Sequence, residues 1–348
     1  STFIFAPTNT AAAQTLTGII SGIGTNIVAA GTLTLSGQST YSGDTILSGG
    51  ELVVNGTENQ GSSGPLGLGI IQFLGGTLGY SVNNVFDYSS RLSTAAGQAY
   101  RIDTAGQTVI YTNTVGLSGT GNTLTKVGAG SLTLAGPSTY TGLTTVSAGK
   151  LNFQGSKSGA GNITVADGAT LGITATGSSI APATLAMGSS SGATLEFNNI
   201  NSTVTAPLTP GTITTGGPIT VNVNSGALTP GQSYPLISWT SGSAPGVNLG
   251  ILNGFIGKLS TNGNSITLNI VATAFKWTGI NNANWDTVTA NNWVQNGGPV
   301  VFANGGPALF DDTATTTNVT IVGVVQPTAV TVNDSLVAYT MTSSPGNE

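Results

Sequence analysis

The sequence predicts an all-β chain wound as a right-handed parallel β-helix, a β-solenoid, with a Trp-rich C-terminal β segment. Three observations carry that prediction: an internal repeat, short runs of alternating apolar residues, and turn-forming residues every few positions. Segment 31–56 reads Gly31-Thr32-Leu33-Thr34-Leu35-Ser36-Gly37, then Ser39-Thr40-Tyr41-Ser42-Gly43, then Gly50-Glu51-Leu52-Val53-Val54. Segment 130–155 repeats it as Gly130-Ser131-Leu132-Thr133-Leu134-Ala135-Gly136, Ser138-Thr139-Tyr140-Thr141-Gly142 and Gly149-Lys150-Leu151-Asn152-Phe153. The two align without a gap and share roughly half their positions.

Within each copy the period is two. Leu33 and Leu35 share one face, as do Leu52 and Val54, while Thr32 and Thr34 point the other way. Gly, Asn and Ser mark the corners, where tight or left-handed backbone is needed. No helical stripe interrupts the pattern. A sandwich would also use short alternating strands, but Leu-Thr-Leu and Leu-Val-Val recur about 20 residues apart, the length of one solenoid coil. Inward Leu, Ile and Val stack in ladders, and outward Thr, Ser and Asn line up without charge repulsion. With a rise of about 4.8 Å per coil, some 15 coils would give a rod of roughly 70 Å.

Composition narrows the function. Apolar residues make up 39% of the 348, enough for a sizeable core, whereas only 5% are charged. With neither Cys nor His, thiol chemistry, disulfides, imidazole bases and the commonest metal ligands are gone. Twelve acids and seven bases are scattered along the chain without a basic cluster, which argues against nucleic acid as a partner. No apolar run of about 20 residues appears, so no helical membrane span is expected.

At the paired motifs the sequence resembles the autotransporter-associated β-strand repeat of Gram-negative passenger domains and large surface proteins. Leu-Thr-Leu, Thr-Tyr-Thr-Gly, Thr-Thr-Val and Gly-Lys-Leu follow in order from Gly130 to Leu151. Gly75-Gly76-Thr77-Leu78, Asp87-Tyr88-Ser89-Ser90-Arg91 and Thr123 to Gly130 are similar as well, and the likeness thins through Gly161 to Leu171, Gly231 to Ile237 and Asn264 to Ile270. It implies a parallel β-helix, export, and a location outside the cell or on a bacterial surface. It implies no particular activity. A typical member continues into a C-terminal membrane barrel, whereas this sequence stops at Pro345-Gly346-Asn347-Glu348; a released passenger, a piece of a longer protein or a subunit exported another way are the expectations.

From Phe275 the texture changes, dividing the chain into an expected solenoid at 1–274 and a Trp-rich β module, or the start of a further solenoid, at 275–348. Trp277, Trp285 and Trp293 are three of the four Trp residues. Two readings stay open for them. Their rings, with Asp286, would suit a glycan, because indole faces stack on sugars; alternatively they fill a corner of the core while Asp286 caps backbone amides. Asp286, Asp311 and Asp312 are also candidate oxygen ligands for Ca²⁺, although no Asp-x-Asp-x-Asp-Gly loop is present, and no other cofactor is expected.

A polysaccharide-degrading β-helix enzyme is the reading to test against a structural one. Its two carboxylates would come from Asp44, Glu51, Glu58, Asp87, Asp103, Asp167 and Glu196, with Arg91 or Arg101 beside them for lyase chemistry. Between the copies, however, Asp44 is matched by Leu143 and Glu51 by Lys150, as expected for outward decoration. Serine has no His partner. An intramolecular Lys–Asn cross-link would need Lys126 or Lys276 buried beside a carboxyl group.

The ends carry the remaining expectation. No amphipathic capping helix is visible, and Thr2-Phe3-Ile4-Phe5 is alternating and uncharged, as are Thr328 to Val332 and Ala338 to Met341. A rod with adhesive ends makes heterologous, non-closing contacts, which generate filaments. The sequence therefore predicts no catalysis but an extracellular structural protein that assembles head-to-tail with itself through Phe3, Ile4, Phe5, Val330, Val332 and Tyr339. The alternative is an adhesin whose partners are surface glycans or other cells.

Overall fold

A computed structural model describes residues 2–113, 117–177, 179–225, 227–252 and 254–344. The spine is a ten-stranded parallel sheet of Ala13–Leu16, Thr32–Leu35, Glu51–Val54, Thr77–Gly79, Ala99–Asp103, Thr123–Val127, Thr144–Val146, Ile163–Val165, Thr184–Met187 and Thr212–Thr215. Beside its first half runs a four-stranded sheet from Thr2–Phe5 to Ile71–Phe73. Beside its second half runs a seven-stranded sheet from Thr108–Tyr111 to Val247–Leu252. Isolated parallel bridges, such as Ile180 to Leu208 and Leu208 to Ile237, mark a third side. The chain is thus a parallel β-solenoid, and its one helical element among the described residues is the 3-10 turn Ser89–Arg91. Residues 345–348, where the stop was noted, lie outside the described residues.

The alternation does what the sequence predicted. Leu132, Leu151, Leu171, Leu195 and Val221 stand in register on successive strands, and all are fully buried. Each such side chain removes its whole apolar surface from water, about 1.5–3 kcal/mol apiece. Gly31, Gly50, Gly130 and Gly149 begin the Gly-x-Leu strands with φ between 62 and 82°, a left-handed corner that L side chains resist. Tyr41 and Tyr140, equivalent in the two copies, turn into the core and bond the hydroxyls of Thr45 and Thr144 at 2.7 Å. In both copies the buried hydroxyl thus finds the partner it needs four residues further on.

One feature is not visible in the repeat. Counting along the spine, Leu33 stacks on Leu52, Leu52 on Leu78, Leu78 on Ile102 and Ile102 on Lys126, two residues after Leu124 in the same strand. Thr32–Leu35 and Thr123–Val127 therefore share a sheet, yet the sequence counterpart of Thr32–Leu35 is Ser131–Leu134, which lies in the seven-stranded sheet. The two copies are displaced by one side of the solenoid. An irregular coil of residues 80–98 makes the change: Leu92 stacks on Ile71, and Ile102 rather than a Gly-x-Leu strand follows Leu78. A buried network holds it, in which Tyr88 donates to Glu58, Asn84 donates to Tyr88 and to the Gly56 carbonyl, and Arg91 pairs with Glu58 at 3.3 Å while donating to the carbonyls of Leu66 and Gly69.

A cap exists, made of strands and placed inside the chain. Ser233–Ser238 pairs antiparallel with Ser265–Thr273, and that strand pairs antiparallel with Phe255–Asn262. Ile266, Leu268 and Ile270 close over the last coils and belong to the same hydrophobic core. Parallel stacking then restarts. Phe275–Trp277, Ala308–Asp311 and Val330–Asn333 form one ladder, and Asn284–Trp285, Asn318–Ile321 and Thr340–Ser343 another. The hairpin Trp293–Gln295 with Gly298–Val300 flanks them, around a separate aromatic core.

Candidate functional site

The three C-terminal indoles are interior. Trp277 and Trp293 have no exposed surface and Trp285 has 2%; their rings pack at 5.0–5.9 Å centroid distances with one another, Phe302 and Phe310. No indole face is open for a sugar to stack on, which removes these rings as a glycan platform; the apolar demand of a short module takes them inside. Trp277 donates its ring N–H to the Thr316 carbonyl at 2.7 Å, while the ring nitrogens of Trp285 and Trp293 have no hydrogen-bond partner. Asp286 is a turn cap. Its carboxylate accepts from the amides of Val288, Thr289 and Ala290 and from the Thr289 hydroxyl. Burial acts to raise its pKa, but these four donors more than offset that and lower it.

The other acids are similarly occupied. Asp167 accepts from four consecutive amides, Ser189 to Gly192, on the next coil and from the hydroxyls of Ser189 and Ser190. The Ser189 hydroxyl foremost, together with the amides, holds its carboxyl far below the usual carboxylate range. Asp312 does the same one coil apart, gripping the amides of Ser335, Leu336 and Val337, and its pKa is lowered to about 2. Asp87 clasps Thr112, Asp44 holds Ile70 and Gln72, and Asp103 caps Ala105. Lys150, from one strand, meets Glu196 two strands away across Gly172. Arg101 stands on the exposed side of the spine. The acids considered for catalysis thus each hold a turn or pair with a neighbouring side chain, save Glu51, which burial raises in pKa. Among the described residues no group of three His, Cys, Asp or Glu converges on a point that would hold a metal ion.

Of the two lysines considered for a cross-link, only Lys276 pairs with a carboxyl group, and its side chain is partly exposed rather than buried. Lys126, buried, donates to the carbonyls of Val127 and Gly128 at 2.7 Å and Ala148 at 3.3 Å. Lys157, which the sequence reading missed, is buried over the Tyr140 ring at 4.5 Å and donates to the Gly159 carbonyl. Burial lowers both to about 8. Lys276 pairs with Asp311 at 3.7 Å and donates to the Thr313 hydroxyl.

At the ends, Thr2–Phe5 edges the four-stranded sheet with Phe3 and Ile4 exposed at 38 and 59%, while Phe5 packs partly against the core. Val330 and Val332 are exposed on an edge strand of the five-stranded C-terminal sheet. Tyr339 differs, being half-buried on Phe310 with its hydroxyl donated to the Asp311 carbonyl at 2.6 Å.

One concavity stands out, and the sequence held no signal for it. A cleft of about 1100 Å³ separates the end of the first solenoid from the aromatic module, lined on one side by Leu228, Phe255 and Thr273 and on the other by Lys276, Asn296 and Asn333.

Stacked parallel coils with Gly-x-Leu corners define a β-solenoid repeat protein. Residues 30–54 and 124–153 match the passenger-associated-transport-repeat family model, and the parallel β-solenoid around them is consistent with an autotransporter passenger repeat protein. The matched residues are well under half of the chain. No curated protein and no solved structure matches it.

Proposed function

We propose that the chain is a non-enzymatic, extracellular wall of a surface protein, a rod that spaces and displays, and that it adds end-to-end to copies of itself. The observation carrying the scaffold reading is the fate of its few charged groups. Asp44, Asp87, Asp167 and Asp312 each tie a turn to the next coil, so the acids that a hydrolase or lyase would place in a groove are spent on coil-to-coil stacking. The passenger repeats support a location at or beyond the cell surface, and no helix among the described residues is long and apolar enough to cross a membrane.

The end-to-end reading rests on the exposed strand edges at Phe3 and Ile4 and at Val330 and Val332, whose free backbone groups would accept a further strand. Electron microscopy of the purified chain tests both. Rods of roughly 70 Å that string together as concentration rises are expected. Ile4→Lys with Val332→Lys should return the strings to single rods. Single rods at every concentration would overturn self-assembly; turnover of a polysaccharide by the pure chain would overturn the scaffold reading.

A further inference from the structure

We propose that the cleft between the solenoid cap and the aromatic module binds a neutral glycan chain. The inference goes beyond the scaffold reading and does not depend on it. The cleft has the place of a binding site, at a junction between two cores, and its volume of about 1100 Å³ is slightly above that of ordinary ligand sites, room for an extended chain.

Its chemistry selects the ligand. Asn296 and Asn333 present side-chain amides that make no hydrogen bond with another described residue, each able to donate and to accept. Thr229 and Thr273 add hydroxyls of the same dual character. A ligand that satisfies such a lining must itself carry donors and acceptors at high density, which a polyol does. Charge argues against an anionic polymer. The one base, Lys276, is already shared between Asp311 and the Thr313 hydroxyl, and two acids line the cleft against it. On the solenoid side Phe255, half-buried, and Leu228 offer the apolar floor on which the C–H faces of a sugar rest.

The wall is also pre-ordered. Asp312 grips the amides of Ser335 to Val337, so the turn after Asn333 is held before any ligand arrives. Asn296 sits at φ 52°, which fixes the hairpin tip that projects its amide. Little ordering entropy is left for binding to overcome.

The test is saturation-transfer NMR and calorimetry on the full chain with maltohexaose, cellohexaose, xylohexaose and the N-acetylglucosamine hexamer, against hexagalacturonate. Binding of at least one neutral hexamer is expected, with at least tenfold weaker binding of hexagalacturonate. Asn296→Gly with Asn333→Ala should lose tenfold or more while circular dichroism stays unchanged, because Gly keeps the positive φ. Thr273→Trp, which fills the cleft from the solenoid side, should abolish binding. The proposal is overturned if no neutral hexamer binds, if hexagalacturonate binds as well as any, or if the variants bind like the parent. None of these outcomes alters the microscopy of the rods, so the two readings fail separately.

Discussion

The solenoid and the aromatic module solve one problem with different side chains. In the solenoid, ten spine strands share a core dominated by stacked Leu, Ile and Val with Phe and Tyr rings such as Phe73, Tyr140 and Phe197 spaced among them, each coil adding a modest increment to a long column. The module has three parallel strands in each ladder and builds its core from Trp277, Trp285, Trp293, Phe275, Phe302 and Phe310. Aromatic side chains bury roughly 150–250 Å² each, so a few of them do what many aliphatic layers do elsewhere. The lesson is one of length. A short stack has proportionally more surface and compensates with larger residues.

The sharpest way to break the comparison is to empty the module's centre. Trp293→Ala should cost about 3–5 kcal/mol there, more than the module can tolerate, while the solenoid stays folded. Limited proteolysis should then release a resistant fragment ending near residue 274. Trp293→Phe should cost much less, because the indole N–H has no partner to lose. Cleavage throughout the chain would show that the two cores are not independent.

A corner of the solenoid gives a smaller effect. Gly149→Ala must hold a Cβ at φ 64° and press it on the Gly130 carbonyl of the coil below. About 1–2 kcal/mol is expected from the backbone alone, read as a lower denaturation midpoint. The module has no corner stacked in this way at Gly297, where a Cβ meets open space. Gly297→Ala should cost only its φ strain, and equal losses at both positions would remove coil-to-coil contact as the cause.

A further contrast is an alkaline pH profile led by two buried lysines of the solenoid. Lys126 and Lys157, lowered by burial to about 8, shed protons in the folded state that the unfolded chain keeps until about pH 10.4. Stability should therefore rise from pH 8 toward 10. Tyr111 and Tyr140 run the other way, because burial raises them well above 10: the folded chain keeps protons that the unfolded chain loses, and stability falls above about pH 10. Thermal melts at stepped pH check this, and Lys126→Met with Lys157→Met should flatten the rise.

Much of this was legible in the chain. The period-two runs at Leu33 and Leu132, and the Gly-x-Leu corners, state which side chains enter the core, because one face of each strand is buried. The matched charge changes at Asp44/Leu143 and Glu51/Lys150 marked outward positions, and Leu143 is indeed exposed. The clustered Trp residues were harder. Their clustering left a glycan platform and a filled corner both open, because whether a ring faces solvent or interior depends on what folds over it, and here Phe302 and Phe310 do.

What the sequence determined by itself, then, is the coil: its strands, corners and inward residues, all set by contacts between neighbours about 20 residues apart. Tertiary structure alone decided the rest. It displaced one repeat by a side of the solenoid through the coil at 80–98, closed the first core with antiparallel strands, and opened a cleft where parallel stacking restarts. Each depends on how non-equivalent segments pack against one another, and a periodic pattern holds no information about where its period is broken.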